Sequence, residues 1–231
     1  MPGRRATMRG MADAPSFAQL AREPDPPLGA LALALAAEFH EVDVAGAIAA
    51  LDALGRDVAA AASRTDGTPA AQARAVAGVI GGEHGFAGDR EQYDHPDNSM
   101  LDVVLARRRG LPIVLSVVYV EAARRAGIPL AGVGLPGHFV VGHFGAAPPI
   151  LLDPFAGGAA VDGEPPAELV RPWRAAQIAM RMLNNLVGSY ARRGDLAAAI
   201  RAGDMRLALP AEESFREGLR AELRAMQARL N

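Results

Sequence analysis

The segment "LPIVLSVVYVEAARRAGIP", residues 111–129, constrains this chain more than any other. Four valines in seven residues suit a strand. The interval from Pro112 to Gly127 is far too long for one, however, and its ends carry helix punctuation. Proline fits the first helical position, where an amide hydrogen has no partner anyway, and glycine fits the residue just past the end. The first turns are apolar on nearly every face, and a helix apolar all round is stable only when it is buried all round. The spacing therefore predicts a helix between Pro112 and Gly127 at the centre of the fold, wrapped by the rest of the chain.

The wrapping segments are legible on both sides. Residues 28–62 repeat apolar side chains at helical spacing (Leu31, Leu35, Phe39, then Val44, Ile48, Leu51, Leu54) and read as two helices. A third follows in "TPAAQARAVAGVI", with Thr68 as N-cap and Pro69 at the first position, and glycines 81, 82 and 85 are expected to stop it. In "NSMLDVVLARRRG", Ser99 and Asp102 have capping-box-like spacing and Gly110 sits where a C′ residue belongs. The run Arg107, Arg108, Arg109 reads as cations favoured in a last helical turn rather than as a basic patch. From Trp173 on, a helix ending near Arg193, a Gly-Asp turn, a second helix from Asp195 and then Pro210 make one tetratricopeptide-like unit and the start of another.

Between these helical regions the period changes. "GVGLPGHFVVGHF" and "PPILLDPF" are short apolar runs around a Gly/Ala/Pro turn, the pattern of a β-hairpin. If the hairpin is centred between Gly145 and Ala146 without a bulge, His138 lies directly opposite Asp153. Direct cross-strand partners share a face with Cβ atoms roughly 4.5–5.5 Å apart, near enough for a carboxylate to orient an imidazole.

Composition removes several function classes. The chain has 231 residues, half of them hydrophobic, enough for one sizeable core. A formal charge of −2 gives no electrostatic case for nucleic acid or an anionic membrane. There is no cysteine, so disulfides, thiolate metal sites and thiol nucleophiles are excluded within this chain. The lead "MPGRRATMRGMADAP" has no apolar h-region, and no run of about 18 uncharged apolar residues follows, so the expected location is the cytoplasm. His138, His143 and Asp153 do not read as a metal site, because an odd separation along a strand sends the two histidines to opposite faces. No cofactor is called for. His40, His84 and His95 are isolated in sequence and read as solvated or locally hydrogen-bonded.

The ordered motifs "NSMLDVVLARRRGLPIVLS", "GVGLPGHFVV" and "ILLDPFAGG" resemble the bacterial SirB-like transglutaminase-core family, best over residues 83–160. The resemblance implies an α+β fold with a transglutaminase/papain-like core, a central helix on a small antiparallel sheet, preceded by helices and followed by a tetratricopeptide-like helical hairpin. It divides the chain into a flexible lead (1–27), an N-terminal helical segment (28–82), the core (83–172) and the tail (173–231). It also implies a Cys-His-Asp triad with the thiol at the start of the central helix, where helix dipole and imidazolium lower its pKa. The histidine falls on His138 and the aspartate on Asp153. The cysteine position falls on Pro112, which supplies neither nucleophile nor backbone donor.

Three readings follow. The favoured one is a non-catalytic cytoplasmic protein that binds a protein or peptide partner beside His138 or on the tail. The second is a hydrolase in which His138 and Asp153 activate water or the hydroxyl of Ser116, one helical turn beyond Pro112. A serine on a buried helix more often bonds back to a preceding carbonyl. The third is a structural adaptor acting through its tail.

Overall fold

In the computed structural model, which describes residues 15–163 and 165–229, the chain begins with a single capped turn. Helix α1 (Phe17–Leu20) has a full capping box, in which the Ser16 hydroxyl accepts from the Gln19 amide and the Gln19 side chain accepts from the Ser16 amide. Phe17, Leu20 and Ala21 are buried in the core. Of the lead expected over 1–27, residues 1–14 lie outside the described residues, and the part from Ser16 is anchored. Helices α2 (Leu28–Ala37) and α3 (Val44–Ala62) follow, the latter capped by Asp43. In α4 (Pro69–Ala77), Thr68 caps the Ala71 amide and Pro69 takes the first position, as its sequence predicts.

Past α4 the glycines do not end the helix. The chain widens into a π-helical turn, Gly78–Glu83, and only Gly85, at φ 71°, leaves helical geometry. Gly81 is there for proximity. A Cβ on it would lie 1.8 Å from the Gly157 carbonyl oxygen, so this turn rests directly on the backbone after Asp153.

Strand β1 (Ala87–Gly88) pairs in parallel with β2 (Arg109–Gly110), and α5 (Leu101–Arg107) lies between them in sequence. Here two expectations are corrected. Met100, not Ser99, precedes α5, and no side chain caps it; Asp102 instead takes the His40 ring nitrogen at 2.7 Å. The left-handed residue after α5 is Arg108, at φ 57°, while Gly110 pairs in β2 because a Cβ there would lie 2.7 Å from Val104. The three arginines are engaged internally: Arg107 faces Asp89 and Asp97, and Arg108 and Arg109 donate to the His84 and Gly85 carbonyls. Before α5, Asp89 organises the loop. Its carboxylate accepts from the Glu91 and Gln92 amides at 3.1 and 2.9 Å and from the Asn98 side chain at 3.2 Å.

Helix α6 (Pro112–Arg125) is the predicted centre, with 11 of its 14 residues buried. Glu121, on this helix and 3% exposed, accepts the Gly29 amide of α2 at 3.1 Å and pairs with Arg124 and Arg125, and Arg125 reaches Asp52 of α3 at 2.6 Å. Strands β3 (Leu130–Leu135), β4 (His138–His143), β5 (Ile150–Asp153) and β6 (Ala159–Ala160) form an antiparallel sheet in that order, against which α6 packs. The run "GVGLPGHFVVGHF" is thus two strands, folded at Pro136–Gly137 with Leu135 opposite His138.

The remaining helices are α7 (Ala175–Arg192), α8 (Leu196–Met205) and α9 (Glu213–Ala228). One apolar cluster, from Phe17 to Met226, draws on all of the α-helices and on β3, β4 and β5. Ile178, Met182, Leu183, Leu186 and Val187 of α7 belong to it. Burying five such side chains is worth roughly 7–15 kcal/mol, comparable to the whole stability of a typical domain. A chain truncated after Pro172 should therefore lose cooperative urea unfolding; a truncated monomer melting at the full-length midpoint would contradict this.

The Asp89 carboxyl is held below the usual carboxylate range, foremost by the Gln92 amide, against the opposing effect of burial. A depressed acid contributes stability that is present above its unfolded value near 3.8 and is lost as pH falls through the lower folded value. Asp89→Asn should cost about 1–3 kcal/mol at neutral pH, with the difference shrinking below about pH 4, as read by urea melts across the acid range.

Candidate functional site

Pro112 opens α6 after Leu111, whose extended backbone provides no side-chain cap. Both Pro112 and Ser116 are buried, and the Ser116 hydroxyl donates to the Pro112 carbonyl at 2.8 Å. That is the back-bonding expected of a serine inside a helix, and it commits the hydroxyl proton along the helix axis.

His138 and Asp153 meet. Nε2 of the imidazole lies 3.0 Å from Oδ2 of the carboxylate, with the side chains 33% and 21% exposed. The register that joins them differs from the expected one. His143 pairs with Ile150 rather than with Pro148, and the ladder ends at Val141 with Leu152, so every pair is shifted by two and the contact is diagonal. The physical reason is that Pro148 and Pro149 carry no amide hydrogen and cannot sit in a ladder against β4. A shift of two preserves the face of each side chain, which is why the pair survives the change. Asp153 has a second task, since its Oδ1 accepts the Phe155 amide at 2.9 Å and caps the short 3-10 turn Pro154–Ala156.

Several contributors to this region carry no motif. Arg181 of α7 donates to the carbonyls of Leu135 and His138, at 3.3 and 3.0 Å, and so clamps both ends of the β3–β4 turn. Its guanidinium centre lies 5.4 Å from the Phe139 ring and 5.9 Å from Trp173, and burial lowers its pKa from the ordinary arginine value. Beside Asp153, Tyr93 meets Phe155 edge-on at 5.8 Å. Tyr119 of α6 points its hydroxyl into a glycine-walled space, where a Cβ on Gly81 or Gly158 would lie 2.8 or 2.9 Å from it. That hydroxyl has no partner among the described residues, and burial first, then the charge of Asp153, push its pKa well up. It is held as a neutral phenol. An arginine within the apolar "IAMRML" and a tyrosine inside an all-apolar helix were the available signals for Arg181 and Tyr119.

His143 is a core residue on the other face of β4. Its Nε2 lies 2.8 Å from the Gln72 side-chain oxygen of α4 and its Nδ1 accepts the Gly145 amide, which places the proton on Nε2; burial lowers its pKa. His84 lies 3.0 Å from Asp57, and His95 accepts the Asp97 amide through Nδ1.

The sequence model of the transglutaminase-like superfamily matches residues 45–185. A UPF0162 protein of Xylella fastidiosa is 37% identical over 143 residues, which is 54% of this chain and 51% of that protein. A second, from Pseudomonas aeruginosa, is 39% identical over 125 residues, 53% of this chain and 44% of the relative. The F-box only protein 21 of Homo sapiens is 39% identical over 70 residues, 30% of this chain and 11% of that protein. The chain spans about half the length of the UPF0162 relatives it matches most extensively. No solved structure matches it.

Because the His138–Asp153 contact is partly solvated, its strength should be modest. A double-mutant cycle of His138→Ala and Asp153→Ala, by urea melts, should give a coupling of about 0.5–1.5 kcal/mol. Asp153→Ala alone should cost the more of the two, since it also uncaps the turn at Phe155. Strictly additive losses would mean that the two side chains do not interact.

Proposed function

Given that the chain belongs to the transglutaminase-like superfamily, we propose that it is a non-catalytic member, a cytoplasmic binding or regulatory protein that engages a protein or peptide partner beside His138 or along a tetratricopeptide-like tail. One observation carries this reading. At the start of the central helix, where thiol chemistry needs a thiolate, stands a buried proline, and the hydroxyl of Ser116, one turn further on, is bonded to that proline's carbonyl. The His-Asp half of a triad is retained without a thiol or a free Ser116 hydroxyl for it to activate. Its diagonal contact and the turn it caps give the pair a structural task that explains its presence without catalysis.

A second reading rests on the exposure of His138. With a third of its side chain open to solvent and a carboxylate at 3.0 Å, the imidazole is equipped to take a proton from water, which would make the protein a hydrolase. A third assigns all function to the α7–α9 tail as a structural adaptor.

These separate experimentally. Purified protein should transfer no amine to glutaminyl peptides and should not cleave thiol-protease substrates; robust transfer would overturn the proposal together with the placement of Pro112 at the nucleophile position. A panel of ester and peptide substrates run on wild type and His138→Ala should show no difference. A hydrolysis that collapses in His138→Ala while its urea midpoint stays within about 1 kcal/mol would establish the second reading instead.

A further inference from the structure

Between the 93–99 segment and α7 lies a cavity of about 150 Å3 whose walls include neither His138 nor Asp153. A cavity of about that volume accommodates benzene, so the occupant is the size of one side chain. At its base is Ser99, 1% exposed, whose hydroxyl has no hydrogen-bond partner among the described residues. A polar atom this deep is costly unless something in the cavity answers it.

The lining offers donors. Asn184 already accepts an Arg206 N–H at 3.1 Å through its side-chain oxygen, which leaves its amide hydrogens available. His95 accepts the Asp97 amide through Nδ1, so the proton of the neutral ring is on Nε2. Asn185 brings a second amide to the same wall. Asp94, the one acid of the lining, is matched by Arg192 at 2.5 Å, and its carbonyl takes the Ser189 hydroxyl. Next to the cavity, sharing Tyr93, Asp94 and His95 with it, a broader depression carries Arg90 and Arg193 together with Glu91 and Gln92.

We propose that this cavity is a binding subsite for a carboxylate presented by an extended peptide, either its C-terminus or an acidic side chain, with the peptide lying across the Arg90 and Arg193 depression. The Ser99 hydroxyl and the two asparagine amides receive the carboxylate oxygens, and the neutral Asp94–Arg192 pair leaves no free charge to repel them. Neither His138 nor Asp153 lines the site, although Tyr93 borders both it and Phe155 beside Asp153.

The test uses propionate as the minimal probe, followed on the 15N-labelled full chain through the side-chain amide resonances of Asn184 and Asn185. Both should shift saturably with propionate, and about tenfold less affinity is expected for propionamide and for inorganic phosphate. A short peptide with a free C-terminal carboxylate should bind more tightly than propionate; comparing its amidated form with and without an internal glutamate tells which carboxylate is read. Ser99→Ala should weaken propionate about tenfold without lowering the urea midpoint, because it removes an unsatisfied group. Asn185→Asp, which keeps the shape and adds a negative charge, should abolish the shifts. The proposal falls if no saturation occurs, if propionamide or phosphate binds as well as propionate, or if Ser99→Ala leaves affinity unchanged or lowers the midpoint, which would make the hydroxyl a structural element.

Discussion

A helix with little surface left for water must have its buried polar groups answered by the protein itself. Helix α6 carries few: Ser116 is answered inside the helix, the Tyr119 hydroxyl has no partner among the described residues, and Glu121 ties down other segments. Glu121 is the costliest, since a carboxyl group at 3% exposure is tolerable only when paired and hydrogen-bonded. Its partners come from the first turn of α2 and from two arginines on its own helix, one of which continues to Asp52 on α3. The N-terminal helices are thereby set in register against α6 by charge as well as by packing.

The other side of α6 is organised by the sheet and by α7. Arg181 is the link. It spends its guanidinium on two backbone carbonyls of the β3–β4 turn while lying against Phe139 and Trp173, so the position of His138 is defined partly from a helix more than forty residues downstream. The β5 side is defined differently, by the Asp153 cap and by the close approach of Gly81 to the Gly157 carbonyl. His138 and Asp153 are therefore brought together by two independent supports.

What was legible in the sequence divides along the range of the forces involved. Thr68, Pro69, Pro112 and Gly127 mark helix ends through local backbone chemistry, and the helices begin and end where those residues indicate. The faces of His138 and Asp153 were also legible, because strand parity survives an even register error. The register itself depended on a loop length that only Pro148 and Pro149, barred from the ladder, reveal. Ser99 and Gly110 misled for a related reason. Their spacing matches capping motifs, but one is buried without a partner and the other is small because Val104 presses on it. Arg181 and Tyr119 act across long sequence separations, and the only local mark of each is a polar group inside an apolar run.

Because α7 completes the core, the order of synthesis matters. The ribosome delivers α6 and the strands before the helix that covers them, and at about 5–20 residues per second the interval between residue 125 and residue 192 lasts roughly 3–13 s. Throughout it, the nascent chain exposes apolar surface that the finished protein hides beneath Met182, Leu183 and Leu186. For that interval the rate of synthesis decides whether α6 is covered by its own chain or meets another one first.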